Sequence, residues 1–550
     1  MDAAADAPPR RARAIAVLVV GLLLAAGCAP DAGVVAQRAE PIDEPIDEPV
    51  DEAVAAEPTV PPSPDGDEDG DGDGTHGPGS VPSSDPPWPS GDPDDTDAHG
   101  ATEPSIRIDV ALDDVAEVGD AKQPRAYDDF VAAAIADIEA WMADLHPRLH
   151  GEPWEPLAGG VWPSYPGRTD IPGCGESRTD PADVSEFVAF YCAGRDFMVY
   201  DDGPDSLLGE LAVEFGPSVL GVVLAHEYGH VVQDRLGVFD RRLPTILTEQ
   251  QADCVSGAWV SRAASGGSAY VTLTDADIRG ALISLVAVRD PVGTDQFEPG
   301  GHGTAFDRIG AFQEGFLHGP ERCDTLLDDP LPLMPNEFQT TTDLLNEGDL
   351  PFGYDDGDIV PLVVDALNGF WPFQLDQLDA GTFAPMTLVP VGAASDITCS
   401  TRPRMVAPGL ATCTADDTVY LDDGFARRLY QDPIVGSADF AVGYFVALAW
   451  ADVAQTRLGS DLVGSDRALA NDCLVGAWTN DLDPDRPDRP GEVNRGVISP
   501  GDLDEAVIAA IEIGDTSPDD DALGVPFDKV AAFRAGVLGR IGACMGRLDP

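Results

Sequence analysis

His226, Glu227 and His230 stand in the pattern His-Glu-x-x-His, a spacing that can do a definite chemistry. On a helix, side chains four apart share a face, so His226 and His230 can present imidazole nitrogens to one ion, with zinc as the expected metal. Glu227 would border the open coordination position, where a carboxylate can take a proton from water and pass it to a leaving amine. A hydrolytic zinc site needs a third protein ligand. Glu249-Gln250-Gln251-Ala252-Asp253 supplies it as Glu249, while Asp253, four residues on, faces the same way and can hold a ligand histidine by its second ring nitrogen. One zinc per chain is expected.

The elements that must carry these groups are legible from periodicity. Helical patterns run over 126–145, 217–236, 247–263 and 275–288, placing the histidine pair and Glu249 on successive helices. Runs at 187–191 and 197–200, separated by Cys192-Ala193-Gly194-Arg195, read as a β-hairpin. The fold class is therefore α+β and helix-rich, with a small sheet or hairpin. Phe197-Met198-Val199-Tyr200 is the expected substrate-side strand, with one edge free beside the metal.

An internal repeat organises the rest. Residues 220–237 align without gaps with 442–459, Asp253-Cys254-Val255-Ser256-Gly257-Ala258-Trp259 aligns with Asp472-Cys473-Leu474-Val475-Gly476-Ala477-Trp478, and Phe306-Asp307-Arg308 aligns with Phe527-Asp528-Lys529. Two tandem copies of one domain are expected. Opposite His226, Glu227, His230 and Glu249 stand Leu448, Ala449, Asp452 and Ala468, and no histidine follows His318; the second copy is degenerate and cannot bind zinc this way. The repeat also sorts the cysteines into a near and a far pair per copy. Four cysteines allow three connectivities; the inferred one is Cys174–Cys192 and Cys254–Cys323, matched by Cys399–Cys413 and Cys473–Cys544.

Charge and the N-terminus bound the setting. A formal net charge of −66 over 550 residues argues against nucleic acid or anionic lipid headgroups as partners. Arg10, Arg11 and Arg13 precede an apolar run too short to span a bilayer, and Leu24-Ala25-Ala26-Gly27-Cys28 resembles a bacterial lipobox that would lipidate Cys28. The alternatives are ordinary signal cleavage and an uncleaved anchor. The next stretch is rich in Pro, Asp, Glu and Gly and cannot bury enough apolar area to offset its chain entropy. The expected plan is a lipoprotein signal peptide over 1–28, an acidic linker over 29–103, a metal-binding domain over 104–335 and its degenerate repeat over 345–548. The expected location is the outer face of the bacterial cytoplasmic membrane, held there only by a lipid on Cys28, or secreted. Eight cysteines beyond Cys28, with no CxxC pair, suit disulfides in an oxidising compartment.

Leu224-Ala225-His226-Glu227-Tyr228-Gly229-His230, the block from Glu249 to Cys254, Gly257-Ala258-Trp259 and His302-Gly303-Thr304 together resemble the bacterial putative neutral zinc metallopeptidase family. The likeness covers about 126–323. It implies a zincin-like domain of gluzincin type, zinc on His226, His230 and Glu249, Glu227 as general base, and a peptide or protein substrate. Gln250 and Val231 depart from the family pattern at positions that are not ligands. His302, in the family's HG block, is a candidate oxyanion donor; a turn histidine without a catalytic part is the alternative. Against the exported zinc metallopeptidase stands a second class, a non-catalytic lipoprotein that binds a substrate or partner.

Overall fold

The structure is a computed structural model and describes residues 105–548, except 176–178, 180, 339, 347, 394–395, 433–435, 484–497 and 515–522. The expected leader, Cys28 and the acidic linker lie outside the described residues.

In the N-terminal half the chain forms α1 (Asp128–His150), β1 (Val161–Ser164), α2 (Pro181–Phe187), β2 (Ala189–Cys192), β3 (Phe197–Asp201), α3 (Leu207–Phe215), α4 (Ser218–Arg235), α5 (Thr245–Ala264), α6 (Asp275–Ala287) and α7 (Ala305–His318). The C-terminal half follows with α8 (Ile359–Gln377), β4 (Thr387–Val391), β5 (Arg404–Ala407), β6 (Leu410–Cys413), β7 (Thr418–Asp422), α9 (Asp423–Tyr430), α10 (Asp439–Leu458), α11 (Gly464–Leu482), α12 (Asp502–Ile513) and α13 (Pro526–Leu548), the last kinked at Arg540. The result is helix-rich α+β, as the sequence implies. Among the described residues no helix is long and apolar enough to cross a membrane.

The two larger sheets, of three and four strands, have the same core order. β3 pairs parallel to β1 and antiparallel to β2, while β7 pairs parallel to β4 and antiparallel to β6, with β5 added outside β6. This overturns the expectation for Phe197–Tyr200: the strand is central and both of its edges are paired. All five residues of β3 are buried, as befits a strand covered on both faces. The sequence pattern missed β1 because Trp162-Pro163 interrupts a short run; the outer strands of the sheet, with an unpaired edge each among the described residues, are β1 and β2.

Each half also contains a helix pair in backbone contact. On α5, a Cβ at Gly257 would overlap the Phe312 carbonyl of α7, and one at Gly315 would overlap the Cys254 carbonyl. On α11 and α13, Gly476 faces the Phe533 carbonyl and Gly536 the Cys473 carbonyl in the same way. All four inferred cysteine pairs are disulfide-bonded, with Cα separations of 5.8, 5.4, 5.7 and 5.6 Å in chain order.

One apolar core runs through both halves. Where they meet, Gln313 Nε2 donates to the Phe527 carbonyl at 3.0 Å, and Arg534 Nη1 donates to the Phe306 carbonyl. Phe306 N–H donates to Asp504 at 2.8 Å, the Phe316 and Phe527 rings lie 4.5 Å apart, and Arg279 pairs with Glu512 at 2.7 Å.

Candidate metal centre

α4 carries His226, Glu227 and His230 and is buried nearly all round, so its approach to α5 is set by backbone and not by long side chains. Gly229 makes the approach possible: a Cβ there would lie 2.7 Å from the Ala252 Cα. Tyr228 anchors the helix from behind, its hydroxyl donating to Glu139 at 2.9 Å, and Glu139 also accepts from Trp154 Nε1 at 2.7 Å.

With the helices this close, the side chains of His226, His230 and Glu249 each offer a ligand atom within 4.8 Å of the others. Glu249 Oε2 lies 3.1 Å from His226 Nε2, and Glu249 Oε1 lies 3.4 Å from His230 Nε2. The opposite ring nitrogens are engaged elsewhere. His226 Nδ1 meets Asp253 Oδ1 at 2.7 Å, and His230 Nδ1 meets Gln233 Oε1 at 2.9 Å, with Gln233 itself held by the Thr248 carbonyl at 2.7 Å. Acceptors on both Nδ1 atoms leave both Nε2 lone pairs pointing at Glu249 when the rings are neutral.

Asp253 is fully buried and is gripped by Arg308, Nε at 3.0 Å and Nη2 at 2.9 Å. Burial alone would push its carboxyl up, but Arg308 and then His226 outweigh that and hold it below the usual carboxylate range. Burial likewise opposes ionisation of Glu249, yet His230, His302 and His226 hold it well below its ordinary value. Burial opposes a charged ring at His226 as well, and Asp253 and Glu249 overcome it to hold its pKa at about 10. The carboxylates therefore demand positive charge at this point. A divalent cation between the rings would supply it, and the donor set of two imidazoles and one carboxylate suits zinc. A buried oxygen fits the same reading, since Glu227 Oε2 has no hydrogen-bond partner.

A cleft of about 350 Å³ opens on His226 and Glu227, and its lining residues all fall between Ser185 and Arg308. Phe187, Val188 and Ala189 at the start of β2 form one wall, and Leu285 and Val288 another. Val188 holds φ 66°, a strained conformation for a β-branched residue and one that recurs at functional sites. His302 also lines the cleft; its ring is 42% exposed, with Nδ1 3.6 Å from Asp290, and Asp290 accepts the backbone N–H groups of His302 and Gly303 at 2.8 and 2.7 Å. Among the other histidines, His146 and His150 meet edge to face, with ring centroids 4.7 Å apart, and neither lines the cleft.

Residue reasoning missed Arg308, Gln233 and Asp290. The repeat held a signal for two of them. Arg308 aligns with Lys529, which grips Asp472 at 2.9 and 3.0 Å as Arg308 grips Asp253, and Gln233 aligns with Gln455, whose Nε2 donates to the Arg467 carbonyl at 2.8 Å. In the C-terminal half the place of the histidine pair is filled differently. Asp452, opposite His230, accepts from Arg467 Nε at 2.5 Å, while the Asp452 carbonyl takes Arg467 Nη2 at 2.7 Å.

These elements define a helix-rich domain with a three-ligand metal cradle, of which His226, beside Glu227, lines a cleft. Residues 173–326 match the model of the family described as putative neutral zinc metallopeptidase. Among relatives, the uncharacterized protein Rv2575 of Mycobacterium tuberculosis is 35% identical over 175 residues, covering 28% of this chain and 58% of the relative. The uncharacterized protein YpfJ of Escherichia coli is 31% identical over 182 residues, covering 28% and 57%. The chain thus spans less than three fifths of the curated relatives it matches. No solved structure matches it.

Proposed function

We propose that the chain is an exported zinc-dependent peptidase whose metal is held by His226, His230 and Glu249. The observation that carries this is the convergence of those three side chains beside Glu227, whose buried Oε2 lacks a partner at the edge of the cleft. Bound zinc would supply Lewis acidity toward water and a peptide carbonyl. The chain's own groups do the remaining work. Glu227 accepts the proton of the attacking water and returns it to the leaving amine. Asp253, fixed by Arg308, holds the Nδ1 side of the His226 ring and keeps it in register, so that Nε2 is the nitrogen turned toward the metal. His302, exposed on the cleft wall, would donate to the developing oxyanion. The apolar walls at Val222, Val223 and Leu285 suit an apolar substrate side chain, and the free edge of β2 offers backbone groups to an extended peptide.

We read the C-terminal half as a degenerate copy of the first. Matching sheet order, paired glycine crossings, corresponding disulfides and the Asp472–Lys529 pair support that reading, with Arg467 providing at Asp452 the positive charge that metal would provide in the other half. Four disulfides suit an oxidising compartment and so support export; a lipid on Cys28 is the proposed attachment to the outer face of the membrane.

The test is Glu227→Gln in the full chain. Zinc content should stay at one per chain while cleavage of a mixed peptide library falls by about 10²–10⁴-fold; wild-type protein that leaves every peptide intact with zinc bound would refute the peptidase reading.

A further inference from the structure

A second cluster lies far from the histidines along the chain, at the meeting of three segments in the C-terminal half. Asp439 is the first residue of α10, Glu505 lies in the first turn of α12, and Asp349 belongs to the chain entering this half; one carboxylate oxygen from each lies within 4.8 Å of the others. Asp502 opens α12 beside them. Asp439, Asp502 and Glu505 are only 3%, 5% and 5% exposed.

The hydrogen bonds orient these groups without neutralising them. Asp439 Oδ2 accepts from Leu350 N–H at 2.7 Å, Glu505 Oε2 from Phe440 N–H at 2.7 Å, and Asp502 from the Ser499 N–H and hydroxyl, both at 2.8 Å. Backbone donors favour the ionised form of each carboxylate. Asp439 Oδ1, by contrast, is buried and has no hydrogen-bond partner. A buried carboxylate oxygen without a donor, on a side chain that also meets the Glu505 carboxyl, is a costly arrangement for ionised groups unless a cation completes it.

We propose that Asp349, Asp439 and Glu505, with Asp502 alongside, form a binding site for calcium, distinct from the zinc centre. The donors are all oxygen, which favours a hard cation over zinc. They come from three separate segments and not from one rigid loop, a setting that suits the looser, higher coordination of calcium better than the strict octahedron of magnesium. The electrostatics agree: burial and then the neighbouring carboxylates raise Asp502 and Glu505 well above their ordinary range, and burial lifts Asp439 to about 6. Without a cation these groups must hold protons to coexist.

The site has a structural consequence. The same turn of α12 carries Asp504, which accepts the Phe306 N–H at the start of α7. Calcium would thus tie the entry segment, α10 and α12 together at the point where the two halves meet.

The experiment uses the full chain loaded with one equivalent of zinc and freed of calcium, titrated with calcium chloride by calorimetry and followed by thermal melting. Surface carboxylates will bind calcium weakly, so the specific response is the part lost in both Asp439→Asn and Glu505→Gln. Wild type should take up one specific calcium and rise in Tm by on the order of 2–4 °C or more, with a smaller rise in magnesium. Each variant replaces a carboxyl that must take up a proton when no cation is bound with a neutral amide, so in chelator it should melt at or above the wild-type temperature, keep its zinc and show no specific calcium response. A wild-type Tm indifferent to calcium, or a calcium response undiminished in Glu505→Gln, would overturn the proposal. Equal responses to magnesium and calcium would overturn the choice of calcium.

Discussion

Asp253→Asn separates what holds the centre together from what binds the ion. The carboxylate has two partners: His226 Nδ1 at 2.7 Å, and Arg308 through two nitrogens at 2.9 and 3.0 Å. Asparagine can still accept from the histidine through its carbonyl, but its amide would face the guanidinium. Arg308, 4% exposed, would keep the Val288 carbonyl as a neutral acceptor and lose the counter-charge it is hydrogen-bonded to, with Glu249 and Asp290 still acting on it through space. Breaking one side of a buried pair costs about 3–5 kcal/mol, whereas weakening the support of a ligand histidine costs about 10–100-fold in metal affinity, or about 1.4–2.7 kcal/mol. Denaturant unfolding of the zinc-free protein reads the first quantity, and competition with a chromophoric chelator reads the second. Adding Arg308→Met should recover much of the stability, because the stranded charge is gone, but not the zinc affinity. Asp472→Asn is the internal control: it strands Lys529, 1% exposed, and should lower stability without changing zinc affinity. If Asp253→Asn binds zinc within twofold of wild type, Asp253 only neutralises Arg308. If it abolishes zinc binding while Glu249→Gln does not, the ligand roles of the two acids are exchanged.

His230→Ala should cost both zinc and turnover, read by metal analysis and peptide cleavage on one preparation, because it removes a ligand and not merely its support. Gly257→Ala should destabilise by about 1–3 kcal/mol or more in thermal melting, since the new methyl has to displace the Phe312 backbone. Asp307 should show in the pH dependence. Burial raises its carboxyl to about 7 from an unfolded value of 3.8, so the folded state binds the proton more tightly, and its contribution to stability is present below about pH 4 and lost as pH rises through 7. Asp307→Asn should therefore gain stability relative to wild type at pH 8 compared with pH 4, measured by urea unfolding; a constant difference between those pH values would show that the group is not buried as described.

Helix positions were well determined by the sequence because each carries a long periodic pattern: the expected spans 217–236 and 275–288 became Ser218–Arg235 and Asp275–Ala287. The strands were less legible. β1 pairs with β3 across intervening helix and loop, and no local pattern reports a parallel partner so distant in the chain; hence Phe197–Tyr200 looked like an edge. The ligands were readable because two histidines four apart and an acid on the next helix are rare among buried positions. Arg308 was not, since a basic residue in the first turn of a helix has many ordinary explanations. Only its contact with Asp253 gives it meaning, and that contact spans 55 positions.

The glycine crossing of α5 and α7 has a mechanical meaning. Two helices that touch backbone to backbone have no layer of side chains between them to deform, so they move as one strut. Glu249 and Asp253 ride on one member and Arg308 on the other. The cleft walls at Phe187–Ala189 and around Val288 are built outside that strut. Substitutions in the walls can reshape what the cleft admits while Glu249 and the Asp253–Arg308 pair that braces His226 stay in place, leaving selectivity free to drift beside a rigid support.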